Sequence, residues 1–115
     1  MKRLNENLKA LLQTFSALRN PKDGCPWDRV QTHESISHCV IEEASEVVDA
    51  IERNDFDSLK EELGDLLYQI IFHAEMANEK KAFNLSDVTS TLNKKLIRRH
   101  PHIFAEKRAI TSKES

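Results

Sequence analysis

The chain has 115 residues, 39% of them apolar and 31% charged, with a formal net charge of −2. Such a length supports one domain around a single core, and the composition excludes a disordered chain. The charge balance gives no general ground for binding nucleic acid or an anionic membrane. No apolar run reaches membrane-spanning length, and residues 1–12 lack the apolar core of a signal peptide, so the cytoplasm is the expected location. Cys25 and Cys39 are the only cysteines. Their spacing suits neither a zinc site nor a disulfide framework, which leaves two reduced thiols.

Two glycines and three prolines are too few for the tight turns of a β-rich fold, and helical periodicity dominates instead. Leu4, Leu8, Leu11, Leu12, Phe15 and Leu18 share one side of a first predicted helix over residues 2–18. It ends before Asn20-Pro21, since proline pushes the residue ahead of it out of the α region. The stretch from Pro21 to Asp28 holds Gly24 and Pro26 and reads as a structured loop. A second helix is expected from near Thr32 to about Arg53, with Ile36, Val40, Ile41, Ala44, Val47, Val48 and Ile51 as its stripe.

Asp55 is placed to cap a third helix running to about Lys80, whose stripe is Leu59, Leu63, Leu66, Leu67, Ile70, Ile71 and Ala74. Tyr68 and Phe72 widen its apolar surface, which predicts a central helix or one at a subunit interface. Asn84, with Asp87 three residues on, forms a capping box for a fourth helix lined by Leu85, Val88, Leu92 and Leu96. Pro101 ends it. The polar tail from Glu106 to Ser115 is expected to fray. The expectation is an all-α, four-helix bundle-like domain over residues 1–115, with its core at about 8–104 and antiparallel neighbours.

Two acidic clusters carry the chemistry: Glu42, Glu43 and Glu46, then Glu61, Glu62 and Asp65. At about 100° per residue, Glu43 and Glu46 stand to the second helix's stripe as Glu62 and Asp65 stand to the third's. Folding the two helices antiparallel by their stripes brings these four to one side. Each couple is spaced i, i+3 and can grip one ion. Four clustered carboxylates repel one another at neutral pH, and a hard divalent cation with all-oxygen ligation, Mg²⁺ or Mn²⁺, relieves that repulsion. Helical di-iron proteins are a rival class, but they need Glu-x-x-His pairs, which this chain lacks. Glu42, Asp49 and Glu61 point further from the stripe, toward solvent or toward a supporting role around the ligands.

Lys94, Lys95, Arg98, Arg99 and His100 crowd the end of the fourth helix. Cations suit a helix C-terminus. Lys95 and Arg99, at i, i+4, are also spaced to reach phosphate oxygens. Trp27 either stacks on a base or anchors its loop to the core. His73 lies near the apolar stripe and reads as packed rather than catalytic; His33, His38 and His102 carry no clear signal.

The run Glu42-Glu43-Ala44-Ser45-Glu46 with Glu62-Leu63-Gly64-Asp65 resembles the E-E-x-x-E … E-x-x-D signature of the MazG-type all-α nucleoside triphosphate pyrophosphohydrolases. Gly24-Cys25-Pro26-Trp27-Asp28, Gln31-Thr32-His33-Glu34-Ser35 and the run from Arg98 to Phe104 are similar to the same family, so the likeness spans about Leu8 to Phe104. The resemblance implies Mg²⁺-dependent hydrolysis of nucleoside or deoxynucleoside triphosphates to monophosphate and pyrophosphate, as nucleotide-pool house-cleaning. It implies Glu43, Glu46, Glu62 and Asp65 as metal ligands, and Lys95 and Arg99 on the phosphates. Glu46 or Glu42 would then orient or deprotonate water, with Glu61 and Trp27 on the substrate side. It also implies a homodimer or larger homo-oligomer. The alternative is a non-catalytic helical module that binds nucleotides or a partner and uses metal structurally.

Overall fold

A computed structural model describes residues 1–105. Their regular elements are helices: α1 (Lys2–Leu18), a 3-10 turn (Asp28–Val30), α2 (His33–Glu52), α3 (Phe56–Glu79) and α4 (Leu85–Arg99). Residues 101–105 are helical again after His100 closes α4, so Pro101 both stops one helix and starts the next turn. The tail expected to fray, Glu106–Ser115, lies outside the described residues. No described helix is long and apolar enough to cross a membrane.

Local chemistry sets the boundaries. Thr32, near which α2 is expected to begin, is its N-cap: its hydroxyl accepts from Ser35 N–H while Ser35 Oγ accepts from Thr32 N–H. Asn84 and Asp87 form the predicted reciprocal box at α4. At the end of α2, Asp55 N–H reaches Ala50 O and Asn54 N–H reaches Ile51 O. Asn54 takes the left-handed conformation (φ 55°) that this Schellman closure needs and that asparagine tolerates. Asp55 then caps α3 by accepting from Ser58 N–H at 3.0 Å. One residue thus closes α2 and opens α3, and that turn reverses the chain.

The reversal pairs α2 with α3 along their length. Moving from His33 to Glu43 on α2 means moving from His73 back to Glu62 on α3, so the pair is antiparallel. Only one edge of each expected apolar stripe joins it, Ile36 and Val47 on α2 and Leu59 and Leu66 on α3. Ile41 remains 72% exposed, Ile51 54% and Leu63 50%, with Val48, Leu67 and Ile70 also exposed. The buried and half-buried line instead runs through Ile36, Cys39, Glu43, Val47 and Ala50 on α2, and Leu59, Glu62, Leu66, Gln69, His73 and Met76 on α3. On both helices this line lies about 100° round from the stripe. Glu43 and Glu62 therefore sit on the seam, while the far edge of each stripe, Ile41, Val48 and Ile51 on α2 and Leu63, Leu67 and Ile70 on α3, faces outward.

The apolar core lies toward the far end of the pair, where Phe15, Ile36, Ile71, Phe72 and Met76 are buried and Leu12, Cys39, Tyr68 and Leu85 pack against them. Phe15 meets Phe72 edge-on at 4.9 Å between centroids. Helix α3 is central, as its width of apolar surface predicts: α1 and α4 both lean on it, more thinly than α2 does. The radius of gyration is 17.3 Å, against about 13 Å for a compact domain of this length. A single chain is open.

The loop after α1 is tied down by Arg19. Its guanidinium donates to Asp28 O (2.8 Å) and Gln31 O (3.0 Å), and its Nε donates to Glu79 Oε2 (2.9 Å) at the end of α3. It also lies 5.5 Å from the centre of the Phe72 ring. Tyr68 OH donates a short hydrogen bond to the buried Asp28 carboxylate. Nothing in the residue pattern around Arg19 marks it in advance, because all of its partners are distant in sequence or are backbone oxygens.

Candidate active site

Glu43 projects from the middle of α2, and Glu62 and Asp65 from the first half of α3. Each offers a carboxylate oxygen, and the three oxygens lie within 4.8 Å of one another. Antiparallel pairing brings them together, and the i, i+3 spacing of Glu62 and Asp65 puts both on one side of α3. Burial, then the charges of Asp65, Glu46 and Glu42, pushes Glu43 above the usual carboxylate range. Glu62 is raised by burial, then by Asp65, Glu46, Glu43 and Glu61. Among the described residues the lysine and arginine ion pairs are Arg19–Glu79, Arg53–Asp49 and Arg53–Asp55. The cluster has none. Converging carboxylates without a cation fit a divalent ion with oxygen ligands, and they do not fit a soft metal.

The other expected site residues are distributed less tightly. Glu46 lies outside the group of three, yet its charge acts on both Glu43 and Glu62. Glu61 acts on Glu62, beside which it stands. Glu42 bears on Glu43 by charge, but its carboxylate gathers with His38 and Cys39. Lys95 lines an apolar groove with Phe83, Val88 and Leu92, and Arg99 is the last residue of α4; neither forms an ion pair with the acids. Trp27 is half exposed and meets Phe72 edge-on at 6.3 Å, so the ring is anchored at an edge and still presents surface.

A cavity of about 540 Å³ lies at the opposite end of α3, lined by Arg19, Asn20, Arg29, Glu75 and Asn78 among others. It holds none of the clustered acids. Helical rise alone sets Glu75 about 15 Å along α3 from Asp65. Residue spacing also gave no hint of the His33–His73 pair. Their rings stack with centroids 5.0 Å apart, and their Nδ1 atoms are 2.7 Å apart. Burial, then the His33 charge, holds His73 below the usual imidazole range. His73 is packed, as its place near the stripe suggests, and the pairing partner is what the sequence conceals.

Residues 31–104 match the model of the MazG nucleotide pyrophosphohydrolase domain. The chain belongs to the MazG family. That stretch contains every acid of the cluster. A nucleoside triphosphate pyrophosphohydrolase of Escherichia coli K12 is 49% identical over 104 residues, which cover 90% of this chain and 40% of that protein. The nucleoside triphosphate pyrophosphohydrolase/pyrophosphatase MazG of Thermotoga maritima is 49% identical over 106 residues, covering 92% and 41%. A Mycobacterium tuberculosis protein of the same enzyme name is 43% identical over 82 residues, covering 70% and 25%. The present MazG chain thus spans at most about two fifths of these relatives.

Proposed function

We propose that this MazG domain hydrolyses nucleoside or deoxynucleoside triphosphates to the monophosphate and pyrophosphate with Mg²⁺, as a cytoplasmic house-cleaning enzyme. The observation that carries the reading is the convergence of Glu43, Glu62 and Asp65 with no lysine or arginine ion-paired to them among the described residues. Relatives bearing this enzyme name at 49% identity support it. Glu43, Glu62 and Asp65, with Glu46 closing from the rim, would hold Mg²⁺ or Mn²⁺ in its place. When bound, such an ion neutralises phosphate charge and makes water a better nucleophile.

The chain's own groups supply the rest. Glu46 or Glu42 orients the attacking water and takes its proton. Lys95 and Arg99 cover phosphate oxygens, and Trp27 and Glu61 border the substrate. A second copy of the chain completes the fold into a bundle, covering the outward stripes and closing the open site. The radius of gyration and the exposed Ile41, Ile51 and Leu63 support that assembly.

The test is a panel of NTPs and dNTPs with Mg²⁺ or Mn²⁺, read as pyrophosphate release. Wild type should release pyrophosphate, and Glu43→Ala and Asp65→Ala should release at least about a hundredfold less, the scale expected when a group acting on transition-state charge is lost. Nucleotide binding without any release would favour the non-catalytic module. Full rates in both variants would overturn the ligand assignment.

A further inference from the structure

On the flank of α2, His38, Cys39 and Glu42 bring a ring nitrogen, a thiol sulfur and a carboxylate oxygen within 4.8 Å of one another. The donor set differs in kind from the all-oxygen cluster, and neither Cys39 nor His38 has a part in the proposed reaction. His38 Nε2 lies 3.6 Å from Cys39 Sγ. Around tetrahedral zinc, bonds of about 2.3 Å to sulfur and about 2.05 Å to nitrogen set the S···N edge at about 3.55 Å. The two atoms are already spaced as ligands of one ion.

A thiol–imidazole hydrogen bond would account for that pair alone, but not for the third donor. Glu42 follows His38 by four residues and Cys39 by three, so helix geometry stacks it over both. It is exposed, as is His38, and both can close on an ion by a rotamer change. Cys39 is the fixed member, because it is half-buried and packs against the core that contains Phe15 and Phe72. Cys39 and Cys25 are a poor guide here as a pair of cysteines; the ligand spacing that matters runs from Cys39 to its helical neighbours.

We propose that His38, Cys39 and Glu42 form a site for a thiophilic divalent cation of the zinc class, with water as the fourth ligand. Sulfur and nitrogen donors favour zinc or cobalt over magnesium, which takes oxygen. On binding, the Cys39 thiol loses its proton to solvent and the thiolate sulfur donates to the metal. The site stands whether or not the chain hydrolyses nucleotides, since Glu43, Glu62 and Asp65 take no part in it; with Glu42 on the zinc-class ion, Glu46 is the group left to take the water's proton.

Cobalt(II) titration of the full chain in excess Mg²⁺ tests this, because magnesium occupies oxygen sites and leaves a thiolate free. Wild type should take up one equivalent with a thiolate-to-cobalt charge-transfer band and the intense visible absorption of four-coordinate cobalt, both abolished by zinc. Cys39→Ser should lose the charge-transfer band while Cys25→Ser keeps it. His38→Ala, at an exposed position that leaves the fold intact, should weaken cobalt binding at least about tenfold. A wild type without the band, a band that survives Cys39→Ser, or unchanged affinity in His38→Ala would each overturn the assignment.

Discussion

Glu43 and Glu62 face each other across the seam of α2 and α3, on positions where apolar side chains ordinarily pack. Both carboxyls are raised above their ordinary value of 4.5, first by burial and then by neighbouring acids. A carboxyl with a raised folded pKa costs the folded state nothing below its unfolded value and most above its folded value. Metal-free protein should therefore lose stability as the pH rises from 4.5 through the raised values. Metal-free Glu43→Gln should melt at or above wild type at neutral pH, and the gap should close on acidification. Mg²⁺ at a hundred times its Kd should stabilise wild type by about 2.7 kcal/mol, and Glu43→Gln should lose most of that. Calorimetry with chelator and with Mg²⁺ measures both. A metal-free variant melting below wild type would mean that the carboxylate supports the fold instead.

Tyr68 and Asp28 make the opposite kind of contact, a buried acid satisfied by a donor from another element. Burial, then the Asp28 hydrogen bond, holds the Tyr68 hydroxyl well above its ordinary value of 10. That stability is present in full below pH 10 and lost as pH rises through the raised value. Tyr68→Phe removes the donor and leaves Asp28 unsatisfied, which should cost about 1.5–3 kcal/mol. Urea unfolding at neutral pH checks the figure. A loss below a few tenths would show that water replaces the hydroxyl.

The two glycines should respond in opposite directions to alanine. A Cβ on Gly24 would stand 2.4 Å from Leu18 O and 2.5 Å from Asn20 O, both backbone atoms that cannot step aside. Gly24→Ala should loosen the loop from the end of α1 and lower the melting temperature. Gly64 lies inside α3 with nothing within 4 Å of such a Cβ. Gly64→Ala should therefore stabilise a single chain by up to about 1 kcal/mol through helix propensity. Thermal melts at matched concentration compare the two; a destabilised Gly64→Ala would reveal a close neighbour from outside the chain.

Helices, caps and the acidic residues were legible because each rests on local spacing. Asn84 with Asp87, Asp55 before α3, and the matched positions of Glu43 and Glu62 all follow from residues within one or two turns. The seam was misplaced because periodicity reports which residues are apolar, and not which of two surfaces a neighbouring helix takes. With apolar stripes on both helices, packing stripe to stripe looks best for one chain. The structure instead sets Glu43 and Glu62 on the seam and leaves Ile41 and Leu63 outside. The His33–His73 and Tyr68–Asp28 contacts join residues forty apart in sequence, a separation that no helical period encodes.

The outward stripes lead to the remaining prediction. Ile41, Val48 and Ile51 on α2 and Leu63, Leu67 and Ile70 on α3 expose apolar area on helices already paired along another line. Each buried methylene is worth about 0.8 kcal/mol, so a second set of helices laid on these stripes would gain far more than scattered surface residues allow. A second copy presents the same stripes and needs no other complementarity. Wild type should sediment as a dimer or larger at micromolar concentration. Ile41→Glu with Leu67→Glu should shift it to monomer while keeping helical circular dichroism, since neither residue is buried within the chain. In the same variant pyrophosphate release should fall if the second copy closes the site. A wild type that sediments as a monomer would assign these stripes to a different partner, and activity unchanged in a monomeric double variant would mean that Glu43, Glu62 and Asp65 work within one chain.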